Sequence, residues 1–183
     1  MIDRAFFCRD SSLRSRQLNA MRPPTSPTAI KFQAQLKQLG LSGQVVEFEQ
    51  TTRTAADAAA AIGCEVGQIV KSLIFQSHPS GQAVLVLTSG SNRVSELLVE
   101  RIVGEKLGKA DADFVRTATG YAIGGVPPFG FKQLQHTYID ESLLGCEIIW
   151  AAAGTPNAVF PLKPADLQRL TGAQAIKVAE EEA

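Results

Sequence analysis

A chain of 183 residues has the length of one globular domain and can bury a sizeable core. Hydrophobic residues make up 45% and charged residues 20%, which argues against a disordered, collagenous or coiled-coil chain. Eighteen Lys and Arg balance eighteen Asp and Glu, so bulk positive charge does not announce a nucleic-acid binder and any RNA partner must be met by a local patch.

Residues 1–24 carry five arginines and two aspartates and show no sustained period. They read as a flexible extension, with Met21 an alternative start, and the domain proper is expected over 25–183. This arm lacks the apolar stretch of a secretory signal. A transit peptide is the other reading of an Arg- and Ser-rich segment, against which the two aspartates and the missing amphipathic face count.

From Thr28 the spacing of Ile30, Leu36 and Leu39 predicts a helix at about 28–39, stopped by Gly40. Residues 44–50 alternate Val45/Val46 and Phe48 with Glu47 and Glu49, as a half-buried strand does. Thr54 then caps an alanine-rich helix that ends at Ile62-Gly63. Residues 68–76 and 83–88 are β-rich apolar runs joined by a loop-like segment at 77–82, a hairpin expected at the centre of a sheet. Helices follow at about 94–103, on Val94, Leu97, Leu98 and Ile102, and from Asp111 to just before Gly120. The run Gly124-Gly125-Val126-Pro127-Pro128-Phe129-Gly130 suits neither helix nor regular strand. Short strands at 136–140, 147–152 and 157–160 come next, then a helix opened by Pro164 and closed by Gly172, then a last strand at 174–179. Without regular βαβ alternation, the fold class is α+β: a mixed, curled, barrel-like sheet flanked by helices.

Cys8, Cys64 and Cys146 form no C-x-x-C pair, and His78 and His136 are far apart and read as surface residues, so neither a disulfide framework nor a zinc site is expected. No cofactor is expected. The apolar runs fall short of the ~18 residues that span a bilayer, and the chain is read as cytoplasmic, with no membrane partner.

Lys71 breaks its surroundings. With period two it shares a strand face with Ile69, Leu73 and Phe75, while Ser72 lies on the other face with Val70 and Ile74. A lysine there either snorkels to the sheet rim or brings its ammonium to a cleft, a carboxylate or an anionic ligand. The 124–130 loop, with glycines free in φ and prolines fixed, either makes a tight connection or aims rigid amides at a developing oxyanion. Asp140, closing Thr137-Tyr138-Ile139-Asp140, either caps the turn at 141–143 or serves a substrate amine or Lys71. No G-x-S-x-G, P-loop, H-E-x-x-H or complete G-x-G-x-x-G is present, so triad hydrolysis, ATP chemistry and zinc chemistry lose ground.

Taken together and in order, Val70-Lys71-Ser72-Leu73, the run from Thr119 through Gly124-Gly125-Val126-Pro127-Pro128 to Gly130, Thr137-x-Ile139-Asp140, and Ala153-Gly154-Thr155 with Asp166-Leu167-x-x-Leu170-Thr171-Gly172 resemble the YbaK/ProX-type aminoacyl-tRNA editing domains, the freestanding deacylases associated with prolyl-tRNA synthetase. The resemblance covers roughly 28–180. It implies that fold and a trans-acting deacylase that hydrolyses the ester of a mischarged small amino acid on the 3′ end of tRNA, most often tRNA(Pro), with prolyl-tRNA synthetase a further partner. By the same resemblance Lys71 is the critical side chain, binding and orienting the terminal nucleotide. Gly124 and Gly125 supply backbone amides. Val126, Pro127, Pro128, Ser72 and Asp140 are the expected substrate-binding residues, and the tRNA's own ribose hydroxyl or a substrate thiol assists the attack. The loop reads Val-Pro-Pro-Phe rather than the Ser-Pro form of the cysteine-specific branch, and His136 stands where many relatives have proline. The amino acid therefore stays open among alanine, serine, threonine and 2-aminobutyrate. Arg93, Arg101, Lys106, Lys109, Arg116 and Lys132 are the cations expected to meet tRNA, each of which otherwise belongs to a solvated charged face. A non-catalytic RNA- or synthetase-binding module of the same fold, and a hydrolase of a small anionic metabolite, are the competing readings.

Overall fold

The two apolar runs at 69–78 and 83–89 pair antiparallel, from Val70 with Ser89 to Gln76 with Ala83, and this hairpin lies mid-way across one mixed sheet. The computed structural model describes residues 21–49, 52, 54–131, 134 and 136–179. Among them the strands are β1 (Met21–Arg22), β2 (Val46–Phe48), β3 (Ile69–His78), β4 (Ala83–Ser89), β5 (Lys106–Lys109), β6 (His136–Asp140), β7 (Ile149–Ala152), β8 (Ala158–Leu162) and β9 (Gln174–Ile176). The helices are α1 (Pro27–Gln38), α2 (Ala55–Ile62), α3 (Glu96–Val103), α4 (Ala112–Thr119), α5 (Glu141–Leu144) and α6 (Pro164–Thr171). Strand order is β1-β2-β8-β7-β3-β4-β6-β9, with β5 also on β3, and no ladder joins β1 to β9 among the described residues. The sheet is curled and unclosed, so the barrel-like expectation holds for its curvature and not for closure.

The predicted caps form. Thr54 and Asp57 make a reciprocal capping box at the start of α2, and Gly63 closes that helix at φ 79°. The Asp111 carboxylate accepts the Phe114 N–H at 2.8 Å and starts α4.

Three faces depart from expectation. Helix α1 buries Ala29, Phe32 and Leu36, while Ile30 stays 50% and Leu39 38% exposed. Phe32 decides this, because its ring sits 5.2 Å from Phe160 and 5.8 Å from Phe129, and that aromatic burial outweighs two aliphatic side chains. Helix α3 buries Val99 and leaves Leu97 and Ile102 exposed. Glu47, expected on a wet strand face, is 4% exposed. Its carboxylate accepts hydrogen bonds from the Thr25 N–H (2.8 Å), the Thr25 hydroxyl (2.7 Å) and the Ser26 N–H (3.0 Å). Met21–Arg22, inside the stretch expected to be an extension, pair with β2 through Met21–Phe48 and Arg22–Glu47. Strands β1 and β5 and helix α5 are too short to give a readable period.

The core has three parts. The largest lies between α1, α6 and the sheet face carrying Val70, Leu85, Leu87 and Ile139. A second packs α2 against Val46, Phe48, Ile69 and Trp150. The third, on the face carrying Phe75, Val84, Val86 and Tyr138, is covered by Val99 and Val178.

β3 meets two different strands on the side away from β4. It pairs with β7 only at Ile69 and Val70, and with β5 only from Phe75 to His78. Residues 71–74 therefore have no ladder partner on that side among the described residues, and all four are partly exposed. Their β4 partners, Leu85 to Thr88, are buried. The gap is a window in the sheet, with Lys71 at one end.

Burial works to raise the Glu47 carboxyl, but the hydrogen bonds from Ser26 and Thr25 prevail and hold it at about 2, against an ordinary 4.5. The folded value lies below the unfolded one, so this contribution to stability is complete above pH 4.5 and fades as the pH falls towards 2. Chemical denaturation of the wild type and Glu47→Gln across that range should show the stability difference between them narrowing towards the acid end.

Candidate active site

Period two along β3, β4 and β6 sets three polar side chains in one row on a single sheet face: Lys71 is the register partner of Thr88, and the Thr88 hydroxyl donates to the Asp140 carboxylate at 3.0 Å. The next row, Leu73, Val86 and Tyr138, is apolar. Asp140 is 2% exposed and fully engaged. Its carboxylate also accepts the Ser89 N–H (3.0 Å), the Asn92 side-chain amide (2.9 Å) and the Ser142 N–H (3.0 Å). Burial by itself raises this carboxyl, yet the bonds from Ser89, Ser142 and Asn92 outweigh it and hold it below the usual carboxylate range.

The same bonds shape the turn at 89–92, whose carbonyls hold the lysine. The Lys71 ammonium donates to the Gly90 carbonyl at 3.3 Å and to the Asn92 carbonyl. No carboxylate lies within ion-pair distance of it, since the ion pairs among the described residues are Lys106–Glu100 and Arg169–Asp166. Burial pushes the ammonium below the ordinary lysine value, with the Asp140 charge pulling the other way. Asp140 thus caps α5 and also orders Lys71, but through the turn rather than by contact. Gly90 allows the turn to sit this close, because a Cβ there would stand 2.3 Å from the Val66 carbonyl oxygen.

The 124–130 loop packs against the 153–156 turn and, through Phe129, into the core on the face opposite Lys71. Gly125 lies against the backbone of Thr155, where a Cβ would come within 2.8 Å, and Gly124, at φ 85°, faces the Pro156 ring. The 153–156 turn continues β7, and extending the β3–β7 register sets Lys71 level with Ala152, at the mouth of that turn. The Gly125 N–H donates to the Ala122 carbonyl at 3.0 Å and closes a tight turn. That amide is committed, and Gly124 keeps the exposed amide with no partner among the described residues. Val126, Pro127 and Pro128 are buried, and Phe129 stacks on Phe32 of α1.

Ser72, on the opposite face from Lys71, has a buried hydroxyl with no hydrogen-bond partner among the described residues. Of the expected cations, Arg93, Arg101, Lys106, Lys109 and Arg116 are exposed, and Lys132 lies outside the described residues. Lys106 donates to Glu100 at 2.9 Å. Lys109 sits opposite Phe75 on β5 and so shares the face of Lys71. His78 is exposed and His136 half-buried, with neither in the row. Asn92, Ser89 and Thr88 were missed by sequence reasoning. The polar cluster Ser89-Gly90-Ser91-Asn92 directly after an apolar strand was the one available signal.

Residues 49–170 match the aminoacyl-tRNA editing domain family, and the chain belongs to it. This makes it a hydrolase acting on the ester bond of aminoacyl-tRNA. It is 30% identical over 134 residues to the uncharacterized protein YwhH of Bacillus subtilis, covering 73% of this chain and 85% of that one. It is 26% identical over 129 residues to a protein of Enterococcus faecalis named "Putative Cys-tRNA(Pro)/Cys-tRNA(Cys) deacylase EbsC", covering 70% of this chain and 79% of that one. A solved structure described as "a putative trans-editing enzyme for prolyl tRNA synthetase" superposes with a TM-score of 0.79 at 47% identity, covering 86% of this chain and all 100% of that one. No helix of the described residues is long and apolar enough to cross a membrane.

Three outcomes follow from the geometry. Asp140→Ala strands the Thr88 hydroxyl, the Ser89 and Ser142 N–H groups and the Asn92 amide, which should cost about 2–4 kcal/mol in denaturation. Because the Asp140 charge raises the Lys71 pKa, its removal should lower that pKa further, as read by NMR titration of the lysine Nζ. Gly125→Ala, by colliding with the Thr155 backbone, should destabilise more than Ala substitution at a surface glycine such as Gly145, where the nearest atom is 3.8 Å away.

Proposed function

We propose that this chain is a trans-acting deacylase that removes a mischarged small amino acid from tRNA(Pro) in the cytoplasm, alongside prolyl-tRNA synthetase. The observation that carries the reading is the Lys71 ammonium, fixed by two carbonyls and paired with no carboxylate among the described residues, at the edge of a window in the sheet. Such a group keeps its charge for an anion, and the phosphate of the terminal nucleotide is the anion that an aminoacyl-tRNA brings. The relatives named for Cys-tRNA(Pro) deacylation and for trans-editing with prolyl-tRNA synthetase support the choice of tRNA.

The chemistry asks little of the protein. An ester is already activated, so holding a water or the ribose hydroxyl in line and stabilising the developing oxyanion carries much of the barrier reduction. The exposed Gly124 amide is the donor for that oxyanion, with Gly125 holding the turn in shape. Val126, Pro127 and Pro128 form the rigid wall that excludes proline, while the Ser72 hydroxyl, buried on the face opposite Lys71, is not in line to touch the substrate. One methylene distinguishes the small amino acids by only ~1–3 kcal/mol, so exclusion by shape is the stronger filter.

Single-turnover hydrolysis of tRNA(Pro) carrying Pro, Ala, Cys, Ser, Thr or 2-aminobutyrate tests this. Selective loss of one or two non-proline esters, abolished by Lys71→Ala with circular dichroism unchanged, is expected; an undiminished Lys71→Ala enzyme would overturn it. No hydrolysis across the panel, with tRNA still bound, would favour the binding-module reading. Among the cations, Lys109→Ala should reduce the slope of log Kd against log salt by about one, because Lys109 has no ion pair among the described residues. Lys106→Ala, which removes a cation already balanced by Glu100, should change the slope less.

A further inference from the structure

We infer that Glu47 is a positioning residue for the active site: its carboxylate fixes the start of α1, and α1 carries the walls on which the 124–130 and 153–156 loops rest. Resting on the editing reading for its functional consequence, the inference stands on geometry. Val46 and Phe48, its strand neighbours, pack in the core beneath α2, so alternation turns Glu47 to the opposite face, where the chain enters α1. There it is buried, with no cation in ion-pair distance among the described residues. Its charge is met instead by two backbone N–H groups and the Thr25 hydroxyl, at 2.7 to 3.0 Å.

An unpaired buried carboxylate is a costly tie between two segments, and apolar side chains would join them more cheaply. What it adds is direction. Three charge-assisted bonds fix Thr25 and Ser26, and Ser26 caps α1 by accepting the Ala29 N–H at 3.3 Å. Gln33 holds the same helix at its middle, accepting the Val45 N–H at 2.6 Å and donating to the Gly43 carbonyl.

From this pose α1 touches both loops. Thr28 crowds Gly154, whose added Cβ would stand 2.8 Å from the threonine methyl and 3.1 Å from the Tyr121 ring. Phe32 stacks on Phe129 at 5.8 Å, and Gln35 lies where a Cβ on Gly130 would come within 2.8 Å. Neither loop has room to follow a shifted helix without moving Gly124 or Thr155. Glu47 therefore acts at a distance on the shape that admits a small aminoacyl group and rejects proline.

The test compares Glu47→Gln, which puts an amide where both carboxylate oxygens accept, with Val99→Ala, a core truncation in the third cluster that serves as a stability control. Amide hydrogen exchange over residues 121–130 and 153–157 should quicken in Glu47→Gln and not in the control. In the deacylation assay, the ratio of kcat/KM for the small mischarged ester to that for the prolyl ester should fall about tenfold or more in Glu47→Gln and stay constant in the control. Unchanged loop exchange, or an equal ratio in both variants, would overturn the inference. A wild type that hydrolyses nothing would sink the deacylase reading, while the exchange comparison would still decide the positioning role. Should Glu47→Gln fail to fold, Thr25→Ala, which removes only the hydroxyl donor, should move both readouts in the same direction by less.

Discussion

A strand of ten residues flanked on one side by two short ones cannot be paired along its whole length, and the candidate site follows from that constraint. β7 leaves β3 after Val70 because its chain must turn at 153–156 to run back as β8, and β5 joins only at Phe75. The window between them leaves Lys71, Ser72, Leu73 and Ile74 partly exposed beside buried partners on β4. Functional groups are thereby set on rigid backbone, since the other side of β3 is pinned by its full ladder to β4.

Among the described residues, the buried carboxylates and Lys71 are met by hydrogen bonds to neutral groups rather than by ion pairs. Asp140 and Glu47 are both buried carboxylates, each surrounded by backbone N–H, hydroxyl or amide donors. Lys71 is held by carbonyls. Because no carboxylate among the described residues touches Lys71, its charge is not neutralised by them, yet the Asp140 field still steadies it from the next strand but one. An ordered cation held this way can engage an anion without first breaking a salt bridge.

The loops depend on packing more than on their own bonds. Gly125, Gly130 and Gly154 each lie where a Cβ would collide with a neighbour, so the 124–130 and 153–156 segments and α1 form one interlocked unit. The phenylalanine cluster of Phe32, Phe129 and Phe160 ties that unit to the sheet. If Glu47 positions α1 as proposed, selectivity among similar esters depends on helix placement as well as on the loops themselves.

Periodicity and capping are local, so the α+β class, the central hairpin, the caps at Thr54 and Asp111, and the isolation of Lys71 on an apolar strand face are legible in the order of residues alone. The quoted motifs also carried the family, which residues 49–170 bear out. What tertiary structure decided was everything set by partners distant in the chain. Phe32 rather than Ile30 faces the core because Phe160, far along the chain, supplies its aromatic neighbour. Glu47 is buried because Thr25 and Ser26 fold back on it, and Gly125's amide is spent on Ala122, leaving Gly124's. Whether Asp140 touches Lys71 or works through the 89–92 turn could not be read from spacing, since that depends on which polar groups three strands bring into one row.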